Sequence, residues 1–169
     1  EVINPATEEV LGHASKATPA DVDRALKSAE QGLEIWKKTP PWQRSYILRK
    51  IADKLREKKD TLAEWMTLEN GKPLAEGVGE TNGAADIFEW NAEETKRIFG
   101  QTIESRFEDT RVHVYYQPVG VVAALSPWNF PLILAARKIS TALAAGCSVI
   151  IKPDTITPGV VMELVDICR

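Results

Sequence analysis

Two short segments of the chain place polar side chains beside prolines that restrict the backbone, and these segments could carry chemistry. In the first, residues 126–131, Trp128 and Asn129 stand between Pro127 and Pro131. A carboxamide held on a rigid loop is a neutral N–H donor suited to an oxyanion that develops in a transition state. Asn129 also precedes a predicted helix, and by position alone the more ordinary role of helix cap is favoured.

The second segment begins at Lys152, where a predicted strand ends. Its ammonium group has the chemistry to donate hydrogen bonds to ribose hydroxyls or to a phosphate. A single lysine at a strand end is more often merely solvated, so Lys152 alone does not identify a ligand.

Both segments follow predicted strands of one βαβ unit. An apolar strand spans residues 119–125, a helix spans 132–145 and a second strand spans 147–151. We expect the strands to be neighbouring and parallel, and buried on both faces. Ligands of such sheets bind beyond the carboxyl ends of the strands, where both segments lie. The usual dinucleotide motif G-x-G-x-x-G is absent.

The first hundred residues predict a helical layer behind this unit. Thr18 and Pro19 predict the start of one helix and Pro41 the start of a second, while Asp60 is expected to cap a third. Gly71 is placed to end the third helix in a left-handed conformation, and a fourth helix is expected over residues 83–98. Two short strands are predicted around a turn at residues 4–5.

Residues 102–117 predict a hairpin, because apolar and polar side chains alternate over residues 111–116 and a partner strand precedes them at 103–107. An isolated hairpin is not stable in water. We therefore expect this one to pack outside the helical layer, against another subunit.

Composition narrows the function classes. The net charge is −3 and no basic tract occurs, which argues against a nucleic-acid groove. No apolar stretch is long enough to span a bilayer. Cys147 and Cys168 lack the spacing of a zinc or disulfide framework, so we expect no metal and a reducing, cytoplasmic setting. The chain opens at Glu1 without Met, which is compatible with a removed targeting segment.

Several short motifs occur together in a characteristic order. They are I-N-P-A-T-E-E at 3–9, E-N-G-K-P at 69–73, P-V-G-V-V at 118–122, P-W-N-F-P at 127–131, A-L-A-A-G-C at 142–147, I-K-P at 151–153 and T-P at 157–158. In this order and spacing the chain resembles the aldehyde dehydrogenase superfamily over essentially its whole length.

The resemblance implies an α/β fold with an incomplete Rossmann-like parallel sheet, an N-terminal helical layer and an oligomerisation hairpin. Residues 1–101 would form the helical part of the cofactor-binding domain, 102–118 the hairpin, and 119–169 the first βαβ portion. A homodimer or homotetramer is implied. The related reaction is NAD(P)-dependent aldehyde oxidation through a cysteine thiohemiacetal and a thioester.

The resemblance also implies roles for individual residues. Asn129 matches the family's oxyanion donor, and Lys152 matches the lysine that bonds the adenosine ribose. The nucleophilic cysteine and the glutamate base are expected beyond Arg169, so this chain alone is expected to be inactive, with Cys147 as a core thiol. The residues expected to line the NAD or NADP site are Ser126, Pro127, Trp128, Asn129, Lys152, Pro153, Asp154 and Thr155.

Two positions bear on specificity. Thr155 stands where relatives often have a glutamate that repels the NADP 2′-phosphate, so NADP is admissible, although Asp154 opposes it. Arg137 resembles the arginine of succinate-semialdehyde dehydrogenases and could bind a substrate carboxylate through a bidentate fork. An ion pair with an acidic side chain of another helix is the alternative role for Arg137.

Three other functions remain open from the sequence: oxidation of small hydroxyaldehydes, reduction of acyl phosphates or acyl-CoA, and a non-catalytic part in folding or assembly. The intact P-W-N-F-P motif favours aldehyde oxidation over the reductases.

Overall fold

The N-terminus forms a small antiparallel ribbon. In the computed structural model, which describes residues 1–169, β1 (Val2–Ile3) pairs with β2 (Val10–Gly12). The Asn4 side-chain oxygen accepts a hydrogen bond from the backbone N–H of Ala6 at 2.9 Å, which holds the turn between the strands. The predicted pair of short strands is confirmed.

Four helices follow, and their ends show why they form where they do. They are α1 (Pro19–Trp36), α2 (Pro41–Glu57), α3 (Lys59–Asn70) and α4 (Leu74–Glu94), the last extended by a 3₁₀ turn (Thr95–Arg97). Thr18 and Asp21 form a capping box at the start of α1, in which the Asp21 carboxylate accepts from the Thr18 N–H at 2.8 Å. Gly71 ends α3 with φ +79°, as predicted.

Two predicted helix starts are wrong. Asp60 lies in the first turn of α3 rather than at its cap, where its charge still suits the positive helix end. Helix α4 begins at Leu74 and not at residue 83, despite the low helix propensity of its glycines. A Cβ at Gly77 would lie only 3.0 Å from the Ala63 Cα atom. This turn is therefore helical because it packs closely on α3, which offsets its low helix propensity.

The second half of the chain forms the predicted βαβ unit and a further helix. Strand β5 (Val121–Leu125) is followed by α5 (Pro131–Ala144), β6 (Ser148–Lys152) and α6 (Gly159–Cys168). The strands are parallel neighbours, aligned from the pair Val121 and Ser148 to the pair Leu125 and Lys152. This central fold prediction is confirmed.

The hydrophobic core lies between the helices rather than around the strands. Eighteen buried residues form one cluster drawn from α2 to α6, in which Leu48, Phe88 and Leu132 are fully buried. The expectation that the strands are buried on both faces is wrong. Within β5 only Ala124 is buried and Leu125 is 67% exposed, because the helices of this chain cover the two strands only in part.

The hairpin is confirmed, but its first strand is β3 (Gln101–Glu104) rather than residues 103–107; β3 is antiparallel to β4 (Arg111–Val114). One face carries an ion pair between Glu104 and Arg111 at 3.0 Å. The other exposes Ile103 and Val112, which lie opposite each other. All of β3 and most of β4 are exposed, so the hairpin stands away from the helical core.

Candidate active-site loops

The two chemically promising loops leave the sheet at the same edge. Leu125 and Lys152 are paired in register at the carboxyl ends of β5 and β6. Directly beyond them, the backbone N–H of Ser126 donates to the carbonyl of Lys152 at 3.1 Å. The structure therefore brings the beginnings of both predicted site segments together, as the parallel-sheet prediction required.

The loop at residues 126–131 is fixed by contacts at its base and its middle. Ser126 is buried, and its hydroxyl donates to the Pro131 carbonyl at 3.3 Å, which closes the base of the loop. The Asn70 side-chain amide donates to the Trp128 carbonyl at 2.9 Å. Trp128 itself is 52% exposed. The loop is thus anchored at Ser126 and Trp128, while residues 127–130 are exposed.

Asn129 does not cap α5. The N-cap residue of this helix is Phe130, and no side chain of the loop makes the capping bond. Asn129 is exposed, and its carboxamide makes no hydrogen bond within the chain. The helix-cap interpretation favoured by position is wrong, and the side-chain amide is free to donate to something outside the chain.

The first N–H groups of α5 are bound by Glu80 from α4. One carboxylate oxygen of Glu80 accepts from the backbone N–H groups of Leu132 and Ile133, at 2.9 and 3.0 Å. The other oxygen pairs with the ammonium of Lys72, and only 2% and 7% of the Glu80 and Lys72 side chains are exposed. A buried carboxylate suits the positive end of a helix.

Glu69 plays the same part for α6. Its carboxylate accepts from the N–H groups of Gly159 and Val160 at 2.7 and 2.9 Å, and the residue is fully buried. Burial raises the pKa of Glu69, an effect that these two hydrogen bonds oppose. Both helix N-termini of the βαβ region are thus occupied by carboxylates. Neither is free to take a phosphate, in keeping with the absent glycine-rich motif.

Sequence reasoning missed both glutamates, although a signal was present. Glu80 falls among the buried positions of α4, between Gly77 and Ala84, and Glu69 follows Met66 on the buried face of α3. A carboxylate within an otherwise apolar stripe needs hydrogen-bond donors in the folded protein. The pattern identifies the need but not the partners, which lie 52 and 91 residues away along the chain.

The second loop presents Lys152 and Thr155 to solvent, with Pro153 and Asp154 half-buried between them. Lys152 forms no ion pair within the chain, so its ammonium is free for a ligand. Asp154 is engaged locally, since its side-chain oxygen accepts from the N–H of Ile156 at 3.0 Å.

Arg137 lies on α5, in its second turn, and is exposed. It makes no ion pair with any acidic side chain of the chain. Within these 169 residues, the structural ion pair that was the alternative role for Arg137 therefore does not form.

The remaining predicted features are structural. Cys147 is 3% exposed, which confirms the core thiol. Burial raises the pKa of Cys168 to about 12, so this thiol stays protonated at neutral pH.

No cluster of three or more His, Cys, Asp or Glu side chains is arranged to hold a metal ion. No helix of the chain combines the length and apolar character needed to cross a membrane.

Comparison with known proteins decides the family. The sequence model of the aldehyde dehydrogenase family matches residues 1–169. The chain belongs to the aldehyde dehydrogenase family. A glutarate-semialdehyde dehydrogenase of Pseudomonas putida is 45% identical to it over 169 residues, covering all of this chain and 35% of that protein. A succinate-semialdehyde dehydrogenase of Escherichia coli, whose name specifies NADP+, is 42% identical over 99% of the chain and 35% of its own length.

The fold agrees with that of solved family members. The crystal structure of a succinate-semialdehyde dehydrogenase from Burkholderia pseudomallei superposes with a TM-score of 0.98 at 40% identity, over 99% of this chain and 35% of that one. The chain spans about a third of the length of these aldehyde dehydrogenases. Over that third the helical layer, the hairpin and the parallel strands agree in arrangement.

Proposed function

We propose that this chain is the cofactor-binding and oxyanion-stabilising part of an NAD(P)-dependent dehydrogenase that oxidises a carboxylated semialdehyde. The observation that carries the proposal is the free carboxamide of Asn129, presented by a braced loop at the carboxyl edge of the sheet. Family membership supplies the reaction class. Electrostatic stabilisation of the transition state is then the role that this chain's own residues fit best.

The edge of the sheet fits the ribose of a dinucleotide cofactor. Lys152 has an unpaired ammonium at the end of β6, and Thr155 offers a hydroxyl three residues further on. The cofactor, when bound, accepts the hydride. Lys152 would donate to the ribose hydroxyls, and the backbone of residues 126–128 would line the site. The diphosphate must be held elsewhere, since Glu69 and Glu80 fill the two helix N-termini.

Asn129 would donate its side-chain N–H to the oxygen of the aldehyde as that oxygen gains negative charge. A donor fixed before the reaction costs no reorganisation when the charge develops, so it lowers the barrier rather than only improving binding. The loop is fixed by the hydrogen bond from the Ser126 hydroxyl to the Pro131 carbonyl and by the bond from the Asn70 side chain to the Trp128 carbonyl.

Arg137 would select substrates with a distal carboxylate. Succinate and glutarate semialdehydes, named for two relatives, both carry one. A guanidinium without an internal partner is free to bind it in bidentate fashion. A small hydroxyaldehyde is the second candidate substrate, because Arg137 can also donate to hydroxyl oxygens. Full-length protein should distinguish them: Arg137→Gln should raise KM for succinate semialdehyde and leave KM for a neutral aldehyde nearly unchanged.

The test of the main proposal is Asn129→Ala in the full-length enzyme. We expect kcat to fall by about 10²–10³ while cofactor affinity is retained. Because the carboxamide has no partner within the chain, the thermal midpoint should change by little. Asn82→Ala is the matched control, since it removes an exposed carboxamide from α4 outside the loops.

A second variant sharpens the test. Asn129→Asp keeps the size of the side chain but places an anion against the developing oxyanion, so it should be as stable as wild type and inactive. Near-normal turnover by the Asp variant would refute the oxyanion role, and unchanged kcat in Asn129→Ala would do the same.

We further propose that the hairpin joins subunits of a homodimer or homotetramer. Its exposed apolar face, with Ile103 and Val112, supports this. Such a face is self-complementary in a twofold pairing of identical chains.

A further inference from the structure

A buried lysine lies beneath the Asn129 loop. Lys72 follows the left-handed Gly71 at the end of α3, and its side chain is 7% exposed. The ammonium nitrogen is 3.5 Å from the Asn129 carbonyl oxygen and 4.5 Å from the centroid of the Phe130 ring. Its third neighbour is the Glu80 carboxylate.

This lysine is not needed to cap α5. The Glu80 carboxylate already accepts two backbone N–H groups at the positive end of that helix, which compensates its charge in part. A buried ammonium is costly to desolvate, and a buried ion pair is often no more stabilising than apolar residues of the same volume. The remaining contacts of the Lys72 ammonium are with the loop, at the Asn129 carbonyl and the Phe130 ring.

We propose that Lys72 is a positioning residue, which fixes the backbone at Asn129 and the Phe130 ring and thereby sets where the Asn129 carboxamide points. Glu80 holds the ammonium in place, and Asn70 braces the same loop one residue earlier through the Trp128 carbonyl. The inference rests on the proposed oxyanion role of Asn129. It adds that the E-N-G-K-P segment, far from the loop in sequence, determines how accurately that role is performed.

The expected effect follows from geometry. A displacement of a catalytic donor by about 1 Å can cost about 10²-fold in rate. Loss of the ammonium removes its contacts on two successive loop residues while leaving the base of the loop intact. We therefore expect Lys72→Met to lower kcat by between about 10-fold and 10²-fold, with cofactor Kd changed less than about twofold.

The test is a double-mutant cycle in the full-length enzyme, with Lys72→Met and Asn129→Ala. If Lys72 acts through Asn129, the kcat penalty of Lys72→Met should nearly vanish in the Asn129→Ala background. Equal penalties in both backgrounds would overturn the proposal, because they would show a general structural effect. Should Lys72→Met not fold, Lys72→Gln, which keeps N–H donors towards Glu80, replaces it in the cycle.

Glu69→Gln is the matched control for lost stability. It perturbs a buried carboxylate with two backbone N–H bonds, but at α6 and without contact to the Asn129 loop. Its effect on kcat should be the same in both backgrounds.

Crystal structures separate this inference from the proposed function. Lys72→Met should displace the Asn129 carboxamide or show it in several positions, whereas Glu69→Gln should leave it in place. An unmoved carboxamide in Lys72→Met refutes the positioning role whatever the activity. Full turnover in Asn129→Ala instead refutes the oxyanion role and leaves positioning to be judged from the structures.

Discussion

Removing Glu80 should destabilise the protein more than removing its partner Lys72, although the two form one buried ion pair. Glu80→Met deletes the acceptor of two charge-assisted backbone hydrogen bonds, at 2.9 and 3.0 Å, and strands the ammonium of Lys72. Hydrogen bonds to charged groups contribute about 1.5–3 kcal/mol each, so the loss should be about 3–6 kcal/mol. The unpaired buried charge adds to it.

Lys72→Met leaves the Glu80 carboxylate with both N–H donors and with the helix N-terminus. It loses the ion pair and the cation–π contact with Phe130, the latter contributing about 0.5–2 kcal/mol. We expect a total cost of about 1–3 kcal/mol, roughly half that of Glu80→Met. The prediction is that Glu80→Met lowers the free energy of unfolding more than Lys72→Met does, whatever the two values are.

Equilibrium urea denaturation at pH 7 measures both costs. Tryptophan fluorescence and far-UV circular dichroism should give coincident transitions if unfolding is two-state. The double variant Lys72→Met/Glu80→Met should cost less than the sum of the single variants, since it leaves no charge unpaired. A Lys72→Met variant that is destabilised as much as Glu80→Met would refute the assignment of Glu80 as the cap of α5.

Three further predictions concern other regions. Thr155→Glu should shift cofactor preference from NADP towards NAD by like-charge repulsion of the 2′-phosphate, and an unchanged ratio of the two kcat/KM values contradicts the assignment. Burial raises the pKa of Glu69 above its ordinary 4.5. The part of the protein's stability that is linked to protonation of Glu69 is therefore complete below pH 4.5 and is lost as pH rises through the folded-state pKa. Urea titrations between pH 4 and 7 should therefore show stability falling more steeply with pH in wild type than in Glu69→Gln; equal slopes exclude the linkage. Val112→Asp should lower the oligomeric mass seen by light scattering with the fold retained, and an unaltered mass argues against association through the hairpin.

Local chemistry was readable from the sequence wherever a residue and its partner lie close together in the chain. The Thr18 cap and the left-handed Gly71 were predicted because each depends on neighbours within a few residues. The two parallel strands were predicted because their apolar runs and the intervening helix form a unit of characteristic length. The Asn129 loop was located because it directly follows the first of these strands and contains two prolines.

Contacts between distant segments were decided by the tertiary structure alone. The sequence favoured Asn129 as the cap of α5, but Glu80 takes that role from 52 residues away and leaves the carboxamide free. Helix α4 starts at Leu74 through a glycine-rich turn that packs closely against α3. Propensity and periodicity describe what one segment prefers. Which donor meets which buried carboxylate depends on how the helices pack, and here that packing leaves the Asn129 carboxamide exposed rather than bound at the helix end.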